Sequence, residues 1–461
     1  MKPAPADSPP LRPLKPRITI FAAALALVAC PALADEAPAA AGSPEQAKDV
    51  SVWAVHGQAT VVEQATLAFP SPYRGANSLD AGARGRETFD ATLYAGFRPW
   101  RGAEIWIDPE IDQGFGLSDT LGAAGFPSGE AYKVGKRDPY LKLQRAFLRQ
   151  TIDLGGDVDK VEADANQFAG RRTANRLVLT VGKVSVGDVF DTNRYAHDPR
   201  GDFLNWTLID TGTFDYAADA WGYTVGAAAE WYQGRWTVRA GAFDLSKVPN
   251  SEHLDWSFSQ FQLIGEVEER HDLGGHPGKI AVTGFLSRGR MGQYDDAIAL
   301  SRQTGQPAST ALVRDYRGRA GLSLNLEQEL APDIGLFARA GFAGGDVESY
   351  EFTDVDRTVA LGLSFGGKAW GRDGDTAGLA GVVNDVSRIH RAYLADGGLG
   401  ILIGDGRLPH FGREQIVETY YSAALTAWAT LTLDAQLIVN PGYNPDRGPA
   451  PVLAARLHTH F

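Results

Sequence analysis

The feature of this sequence that most constrains its fold is an alternation of apolar and polar residues that recurs along most of the chain. In residues 430–440, Leu431 and Leu433 fall on one parity, whereas Thr432 and Asp434 fall on the other. Successive side chains of a β-strand point to opposite faces, so a period of two predicts strands with one apolar and one polar face. The alternation therefore predicts an all-β protein.

About sixteen segments follow this pattern. They lie near 51–69, 86–98, 103–113, 139–154, 176–187, 221–232, 236–245, 257–270, 278–290, 318–330, 334–343, 357–366, 376–387, 413–428, 430–440 and 451–461. In the fourth segment Lys142 and Gln144 fall on one parity and Arg145 and Arg149 on the other, which predicts a β-bulge. The connection at 155–175 is long for its place in the order, and we expect a short helix in it.

The connections between these segments alternate in length. Odd-numbered connections are long, whereas most even-numbered ones are tight turns, as at 99–102. Alternating long loops and short turns on an even number of strands is typical of outer-membrane barrels, whose short turns face the periplasm. The sequence thus predicts a 16-stranded antiparallel transmembrane β-barrel. A soluble β-sandwich or propeller also has alternating strands, but its long connections follow no such order.

The first residues have the three parts of a secretory signal peptide. Lys15 and Arg17 form a basic flank, and 18–29 is an apolar run too short to span a bilayer comfortably. The small residues that end at Ala34 form a cleavage site. We therefore expect 1–34 to be a signal peptide that is removed after Ala34.

The residues after the cleavage site begin with an Ala- and Pro-rich stretch. We expect 35–50 to be disordered and 51–461 to form the barrel domain. The residues before Cys30 resemble a lipoprotein box, so lipidation of Cys30 remains an alternative. No further run in the chain is long and apolar enough for a membrane helix.

Composition excludes a nucleic-acid partner and an intrachain disulfide. The formal net charge is −12, and nucleic-acid binding needs a basic surface, so no nucleic-acid partner is expected. With a single cysteine in the chain, no intrachain disulfide can form.

Three motifs resemble catalytic or cofactor sites without their structural context. Residues 362–366 match the G-x-S-x-G nucleophile motif, but a turn follows instead of a helix. His458 and His460 share a strand face with no evident third metal ligand. The Gly-rich run 397–406 lacks the dinucleotide-binding spacing. We therefore expect no enzyme activity, no cofactor and no metal.

The polar faces of the predicted strands carry both signs of charge. An Arg or Lys facing lipid at mid-membrane costs about 2–4 kcal/mol, so these side chains should face a water-filled lumen. Charged groups hydrogen-bond hydroxyls, and aromatic rings stack on sugars, so such a lumen suits neutral polyols. The candidate lumen-wall residues are Gln58, Arg98, Glu104, Trp106, Asp108 and Glu110.

The longest predicted connection begins with the densest polar stretch of the chain, at 187–206. Long loops without regular structure are usually functional in compact domains. In general porins the corresponding loop folds inward and narrows the pore. The candidate constriction residues are Asp191, Arg194, Asp198, Arg200, Asp202 and Trp206. A solvated loop held by internal salt bridges is the alternative for each of them.

Phe461 ends the last predicted strand. In a closed barrel that strand pairs with the first, and aromatic side chains gather at the membrane interface. We expect Phe461 to lie at this interface. It also resembles the C-terminal aromatic residue that outer-membrane proteins present to their assembly machinery, so we expect it to act as an assembly signal.

Several long motifs in order resemble the carbohydrate-selective porins of the Gram-negative outer membrane. They are VHGQATVVEQ, PYRGANSL, GAEIWIDPEIDQGFGLSDTLGAAGFPSGEAYK, VFDTNRYAHDPRGDFLNW, HRAYLADGGLGILIGDG and NPGYNPDRGPAPVLAARLH. The resemblance implies a 16-stranded barrel with short periplasmic turns, long extracellular loops and inward-folded loops that form a constriction with Arg and acidic side chains. It also implies passive diffusion of sugars into the periplasm. The chain departs from some relatives in lacking a sizeable domain before the barrel.

The expected partners follow from this interpretation. They are carbohydrate solutes, outer-membrane lipid and lipopolysaccharide, and the assembly machinery. A monomer and a homotrimer both remain open. The charge balance of the lumen leaves open whether the solute is neutral or acidic. Two alternatives of other kinds are an export channel for an acidic polysaccharide, which the acidic composition opposes, and a barrel hydrolase, for which no convincing nucleophile and base are evident.

Overall fold

The computed structural model of the protein describes residues 51–82, 85–131 and 135–461. In this part of the chain, sixteen strands form one closed antiparallel barrel in which each strand pairs with its neighbours in sequence. The predicted signal peptide, with Ala34 and Cys30, and the segment 35–50 lie outside the described residues.

Each predicted segment overlaps one strand of the barrel. The first eight strands are β1 Trp53–Thr66, β2 Arg86–Phe97, β3 Ala103–Gly114, β4 Lys136–Val161, β5 Gly170–Val184, β6 Thr224–Gln233, β7 Trp236–Asp244 and β8 Phe261–Asp272. The second eight are β9 Pro277–Gly292, β10 Arg314–Ala331, β11 Ile334–Ala343, β12 Arg357–Gly366, β13 Thr376–Asp385, β14 Glu414–Thr426, β15 Ala429–Val439 and β16 Ala450–His460. The predicted 16-stranded barrel is confirmed.

In the described residues, three short α-helices lie in the long connections. They are α1 Trp206–Ile209, α2 Tyr294–Thr304 and α3 Arg388–Ala395. Within the described ranges, none of the helices has the length and apolar character needed to cross a membrane.

The connections alternate in length as the sequence predicts. The long ones, at the extracellular end, are 67–85, 115–135, 185–223, 245–260, 293–313, 344–356, 386–413 and 440–449. The short ones, at the periplasmic end, are 98–102, 162–169, 234–235, 273–276, 332–333, 367–375 and 427–428.

The connection after β4 differs from the prediction. No helix forms within 155–175, because β4 and β5 continue as a paired hairpin as far as Val161 and Gly170. Gly155 and Gly156 both have positive φ, with values of 91° and 87°, and the pairing is irregular beside them. These glycines bend the strand and interrupt its period, so the alternation could not be followed through them.

The bulge predicted in β4 is confirmed at Gln144. Asp108 of β3 pairs with Arg145, whereas the next residue, Pro109, pairs with Leu143, so Gln144 has no partner of its own in this ladder. The extra residue shifts the parity of the strand, and basic side chains on both sides of it reach the lumen.

The outward face of the barrel is apolar and exposed. Val359 and Leu433 are each 62% exposed, whereas the intervening parity of the same strands is buried, as Ala360 at 2% and Asp434 at 5% show. A continuous apolar surface of this kind needs a partner other than water. The barrel exterior therefore matches the hydrocarbon of a membrane.

The barrel closes between β1 and β16. Nine residue pairs join the two strands, from Gln58 with His460 to Thr66 with Val452. Phe461 extends this seam, because its N–H donates to the Gly57 carbonyl at 3.0 Å and its carbonyl accepts from the Gly57 N–H at 3.1 Å. The Phe461 side chain is 77% exposed.

Candidate pore constriction

The connection between β5 and β6 folds into the barrel instead of extending from it. We call residues 185–223 the lumen loop. The loop contacts inward-facing residues on strands all around the barrel, and most of 203–220 is buried. The lumen is therefore narrowed by a long segment that enters and leaves at the extracellular end.

Wall side chains satisfy the backbone of the lumen loop. The Glu418 carboxylate on β14 accepts hydrogen bonds from the N–H groups of Leu204 at 2.5 Å and Asn205 at 2.9 Å. The Arg339 guanidinium on β11 donates to the carbonyl of Ala196 at 2.7 Å. Buried backbone groups need such partners, so much of the charge on the inward faces serves to hold this loop.

A carboxylate of the lumen loop holds a second loop in turn. Asp215 accepts hydrogen bonds from the N–H groups of Tyr350 at 2.5 Å, Glu351 at 2.9 Å and Phe352 at 3.1 Å. The connection 344–356 is thus fixed against the lumen loop over the extracellular half of the barrel.

Aromatic packing gives the lumen loop its own core. Trp206 stacks on Phe126 at 5.2 Å and lies 5.5 Å from Phe352 and 5.6 Å from Tyr216. Its side chain is 5% exposed. Trp206 therefore packs between loops, and its ring does not face the lumen water.

Glycines on β11 let the lumen loop approach the wall. A Cβ atom at Gly335 would overlap the ring of Tyr195, and one at Gly341 would overlap the Thr213 hydroxyl. Any larger residue at these two positions would push the loop away from β11.

Arg200 ties the lumen loop to the wall at β2 and β3. Its guanidinium lies 3.0 Å from Asp90, 3.3 Å from Glu110 and 3.1 Å from Glu130, and these three carboxylates are buried. The Arg200 side chain is 15% exposed. Arg200, which the sequence predicts as a constriction residue, therefore mainly holds the lumen loop against the wall.

Asp191 is also held within the loop and its wall. Its carboxylate accepts from the N–H of Thr211 at 2.6 Å and from the Asn325 amide at 2.7 Å, and it lies 3.7 Å from Arg339. Asp191 is fully buried. The Asp191 carboxylate therefore helps to hold the lumen loop in place and does not face the lumen water.

Three of the predicted residues reach the water of the lumen. The Arg194 side chain is 62% exposed, and its guanidinium lies 3.8 Å from Glu329 near the periplasmic end of β10. Asp198 is exposed and Asp202 is partly exposed. Arg194, Asp198 and Asp202 therefore form the exposed tip of the lumen loop.

Further charged residues that reach the lumen water lie on β3, on β4 and in the connection 98–102. Arg98 and Arg149 both approach Glu104, at 3.1 and 3.6 Å, and Arg145 meets Asp188 of the lumen loop at 2.6 Å. The exposed fractions of these five side chains lie between 14% and 28%. Each charge facing the water here has an opposite charge beside it.

The other four predicted wall residues face inward but are covered. Trp106, Asp108 and Glu110 are fully buried, and Gln58 is 7% exposed. The Trp106 ring lies 5.0 Å from Phe168 of the connection 162–169. This periplasmic connection therefore folds into the lumen and covers the Trp106 ring.

Sequence reasoning did not select several residues that line or cover the wall. The sequence does not show whether Arg145 and Arg149 face the lumen, because the bulge at Gln144 shifts the parity of β4. Basic residues on both parities of this strand are the signal that indicates the bulge. Asn166 donates to Asp108 at 2.9 Å, and Phe168 lies 4.2 Å below the Arg98 guanidinium. No sequence signal indicates that the connection carrying them turns inward.

Burial and charge shift the acids of the lumen loop in different directions. Burial raises the pKa of Asp202 to about 6, and repulsion from Asp198 adds to this shift. Burial also raises the pKa of Asp210 to about 6, against the attraction of His197. For Asp188, burial favours the neutral form, but the Arg145 guanidinium outweighs it and holds the pKa below its usual value. Asp188 thus stays ionised while Asp202 and Asp210 titrate near neutrality.

The described residues contain no group of three or more His, Cys, Asp or Glu side chains arranged to hold a metal ion. His458 and His460 stack on each other at 5.7 Å near the periplasmic end of β16. Ser364 of the G-x-S-x-G match lies inside β12, and only a four-residue 3₁₀-helix, Gly367–Trp370, follows the strand.

Comparison with known proteins agrees with this architecture. A family model described as "Carbohydrate-selective porin, OprB family" matches residues 76–461. Porin AaxA of Chlamydia abortus is 23% identical over 360 residues, which cover 77% of this chain and 69% of that porin. The export-channel and hydrolase alternatives gain no support from these matches.

A solved structure shows the same fold. The high-pH structure of Pseudomonas putida OprB superposes with a TM-score of 0.65 at 16% identity, covering 89% of this chain and 94% of that one. The family match extends over most of the chain and the barrel is that of an outer-membrane channel. The chain therefore belongs to the OprB family of carbohydrate-selective porins, and it lies in the outer membrane of a Gram-negative bacterium.

Proposed function

We propose that the protein lets neutral mono- and oligosaccharides diffuse passively into the periplasm. The solute would pass the exposed tip of the lumen loop and the charged residues of β3, β4 and the connection 98–102. The observation that carries this proposal is the pairing of charges on the wall of the lumen, where Glu104 and Asp188 each lie against an arginine.

Paired charges favour a neutral solute. Glu104 lies between two arginines, Asp188 lies against Arg145, and Arg194 lies near Glu329. Such pairs still offer donors and acceptors to hydroxyl groups, but they present little net charge to attract a particular ion. A sugar can exchange hydrogen bonds along this wall without being held tightly, which rapid transit requires.

The test is liposome swelling with matched neutral and acidic sugars. The purified protein should admit glucose faster than glucuronate, because the paired lining offers the acidic sugar no compensating charge. Equal rates, or faster entry of glucuronate, would contradict the preference for neutral solutes. Absence of swelling with either sugar would contradict the pore itself.

A pair of reciprocal variants sharpens this test. Asp188→Asn leaves Arg145 without its partner and should increase glucuronate entry relative to glucose. Arg145→Gln leaves Asp188 unpaired and should do the opposite. If both variants change the ratio in the same direction, the local charge balance does not set the preference.

The remaining partners and the absence of enzyme activity are part of the same proposal. A channel of this kind works downhill without a cofactor, and we expect no hydrolysis by Ser364 because it lies within a strand. We also propose that the assembly machinery recognises Phe461 and that three copies form a homotrimer. Native mass spectrometry of the detergent-solubilised protein measures the oligomeric state directly.

A further inference from the structure

A cleft opens on the outer side of the barrel at the extracellular ends of β11 and β12. Its volume is about 950 Å³. Phe342 and Arg357, which pair across these strands, line its lower edge, and both side chains lie on the outward parity. The cleft is therefore separate from the lumen and lies just above the lipid-facing surface. We call it the rim cleft.

Four arginines line the rim cleft. They are Arg302, Arg357, Arg388 and Arg391, and all four are exposed. Among the described residues, no carboxylate lies within 4.0 Å of Arg302, Arg388 or Arg391. Arg357 lies 4.0 Å from Asp385, which is already paired with Arg413 at 2.9 Å. The positive charge of the cleft is thus largely uncompensated.

The two acids in the lining leave the four arginines in excess, because only Asp346 adds an unpaired negative charge. Asp356 is buried and already engaged, at 3.0 Å from Arg319 and 3.2 Å from His390. These contacts outweigh the effect of burial and hold the Asp356 pKa at about 2. Asp346 is exposed and lies within 4.0 Å of none of the described basic side chains.

The scaffold of the rim cleft is rigidly packed. Arg302 lies in the last turn of α2, and Arg388 and Arg391 lie on α3. The two helices pack through the ring of Tyr294, which stacks on His390 at 4.4 Å. Three of the four arginines are therefore held by two loop helices that are joined through an aromatic contact.

The floor of the rim cleft is apolar. Phe342 is 55% exposed, and Arg391 lies over the ring of Phe411 at 4.7 Å. Below the floor, Val359 and Leu361 continue the lipid-facing surface with exposed fractions of 62% and 56%. A ligand of the cleft would thus have a negatively charged head among the arginines and an apolar part against the barrel.

We propose that the rim cleft binds the phosphorylated sugar headgroup of the glycolipid in the outer leaflet, with its acyl chains along the β11–β12 surface. Uncompensated arginines recognise phosphate through charge-assisted, often bidentate hydrogen bonds. The cleft lies just above the lipid-facing surface, carries positive charge and has an apolar lower edge, and this amphiphile needs all three features.

The test measures lipid binding by native mass spectrometry of the full barrel in detergent. The probes are bisphosphorylated lipid A, the same lipid without phosphates, and inorganic phosphate. The variant Arg302→Gln/Arg388→Gln/Arg391→Gln removes three charges from the cleft. Its matched control, Arg101→Gln/Arg171→Gln/Arg172→Gln, removes three exposed charges at the periplasmic end.

The expected result is that the cleft variant binds bisphosphorylated lipid A more weakly by about a hundredfold, since each cation near an anionic lipid contributes a factor of roughly five. The periplasmic control should retain its binding, and the variant with three lysines in place of the same arginines should lose less binding than the glutamine variant, because lysine keeps the charge but not the bidentate hydrogen bonds. Removal of the phosphates should weaken binding to the native protein, and millimolar inorganic phosphate alone should not occupy the cleft.

Three results would overturn the proposal. One is unchanged lipid A binding by the cleft variant, and another is equal binding of the lipid without phosphates. The third is a change of oligomeric state with unchanged lipid binding, which would assign the cleft to a contact between copies. Channel activity is measured on the same samples, so failure of the lipid site is distinguishable from failure of the pore or of folding.

Discussion

Replacement of Arg200 by alanine tests whether the lumen loop is held by buried charge. In the native protein one guanidinium, 15% exposed, serves Asp90, Glu110 and Glu130. The variant leaves these carboxylates without the cation that they share. We expect the loop to detach from β2 and β3 more readily than in the native protein.

The magnitude follows from the burial of the cluster. Removing one partner from a buried ion pair costs about 3–5 kcal/mol, because the remaining charge is left uncompensated. We therefore expect the Arg200→Ala protein to lose about 3–5 kcal/mol of unfolding free energy in detergent near neutral pH. If the loop detaches before the barrel unfolds, the loss appears as noisy, larger single-channel currents.

The loss should depend on pH with a definite sign. Burial raises the pKa of Glu130 well above its usual value, against the attraction of Arg200, and Asp90 raises it further. A carboxyl with a raised folded pKa binds its proton more tightly in the folded state, so its penalty is present at high pH and disappears as the pH falls. The deficit of the variant should therefore shrink as the pH falls from neutrality towards the ordinary glutamate pKa of about 4.3.

Arg194→Ala on the same loop is the matched control. The Arg194 side chain is 62% exposed and its ion pair spans 3.8 Å, so its removal should cost less than about 1 kcal/mol of stability. It should instead change ion selectivity and sugar flux, because Arg194 lies at the exposed tip. Equal stability of the two variants, or a deficit of Arg200→Ala that does not vary with pH, would refute the reasoning.

Two further predictions concern the pKa of Asp202 in the lumen loop and arginine substitutions on the lipid-facing surface of the barrel. Because the pKa of Asp202 is raised to about 6, its stabilising contribution is complete below its unfolded value of about 4 and is lost as the pH rises through 6. Asp202→Asn should thus gain about 1–2 kcal/mol near pH 7.5 and nothing below pH 4 in denaturant titrations; a gain independent of pH would contradict this. Leu433→Arg, in the middle of β15, should cost about 2–4 kcal/mol, whereas Leu425→Arg at the periplasmic end of β14 should cost less than about 1 kcal/mol. Equal costs would contradict the placement of these strands in the membrane.

The strands were predictable because their signal is local. Each face of a barrel strand meets one solvent, so the period of two is written into the sequence of every strand, as in 430–440. The period of two also predicted the bulge, since the neighbouring residues Gln144 and Arg145 cannot both face the lumen in a regular strand. It failed at Gly155 and Gly156, where positive φ bends the hairpin.

The roles of the site residues were less predictable because they depend on contacts between distant parts of the chain. Arg200 and Arg194 are similar in sequence terms, yet one meets carboxylates of β2 and β3 and the other points into water. The wall residues Glu418 and Arg339 carry no motif, but they satisfy the loop backbone. Only the path of the lumen loop through the barrel distinguishes bracing residues from pore-facing ones.

The central claim, that sugars pass the exposed tip of the lumen loop, is tested most directly by an introduced thiol at Asp198. The only cysteine of the chain is Cys30, so its replacement leaves Asp198→Cys as a single reactive site. In planar bilayers, a charged water-soluble thiol reagent should reduce the single-channel current in one step and slow glucose permeation, whereas lipid-facing Leu433→Cys should be unaffected. A channel that conducts ions and glucose unchanged after modification at Asp198 would contradict the account.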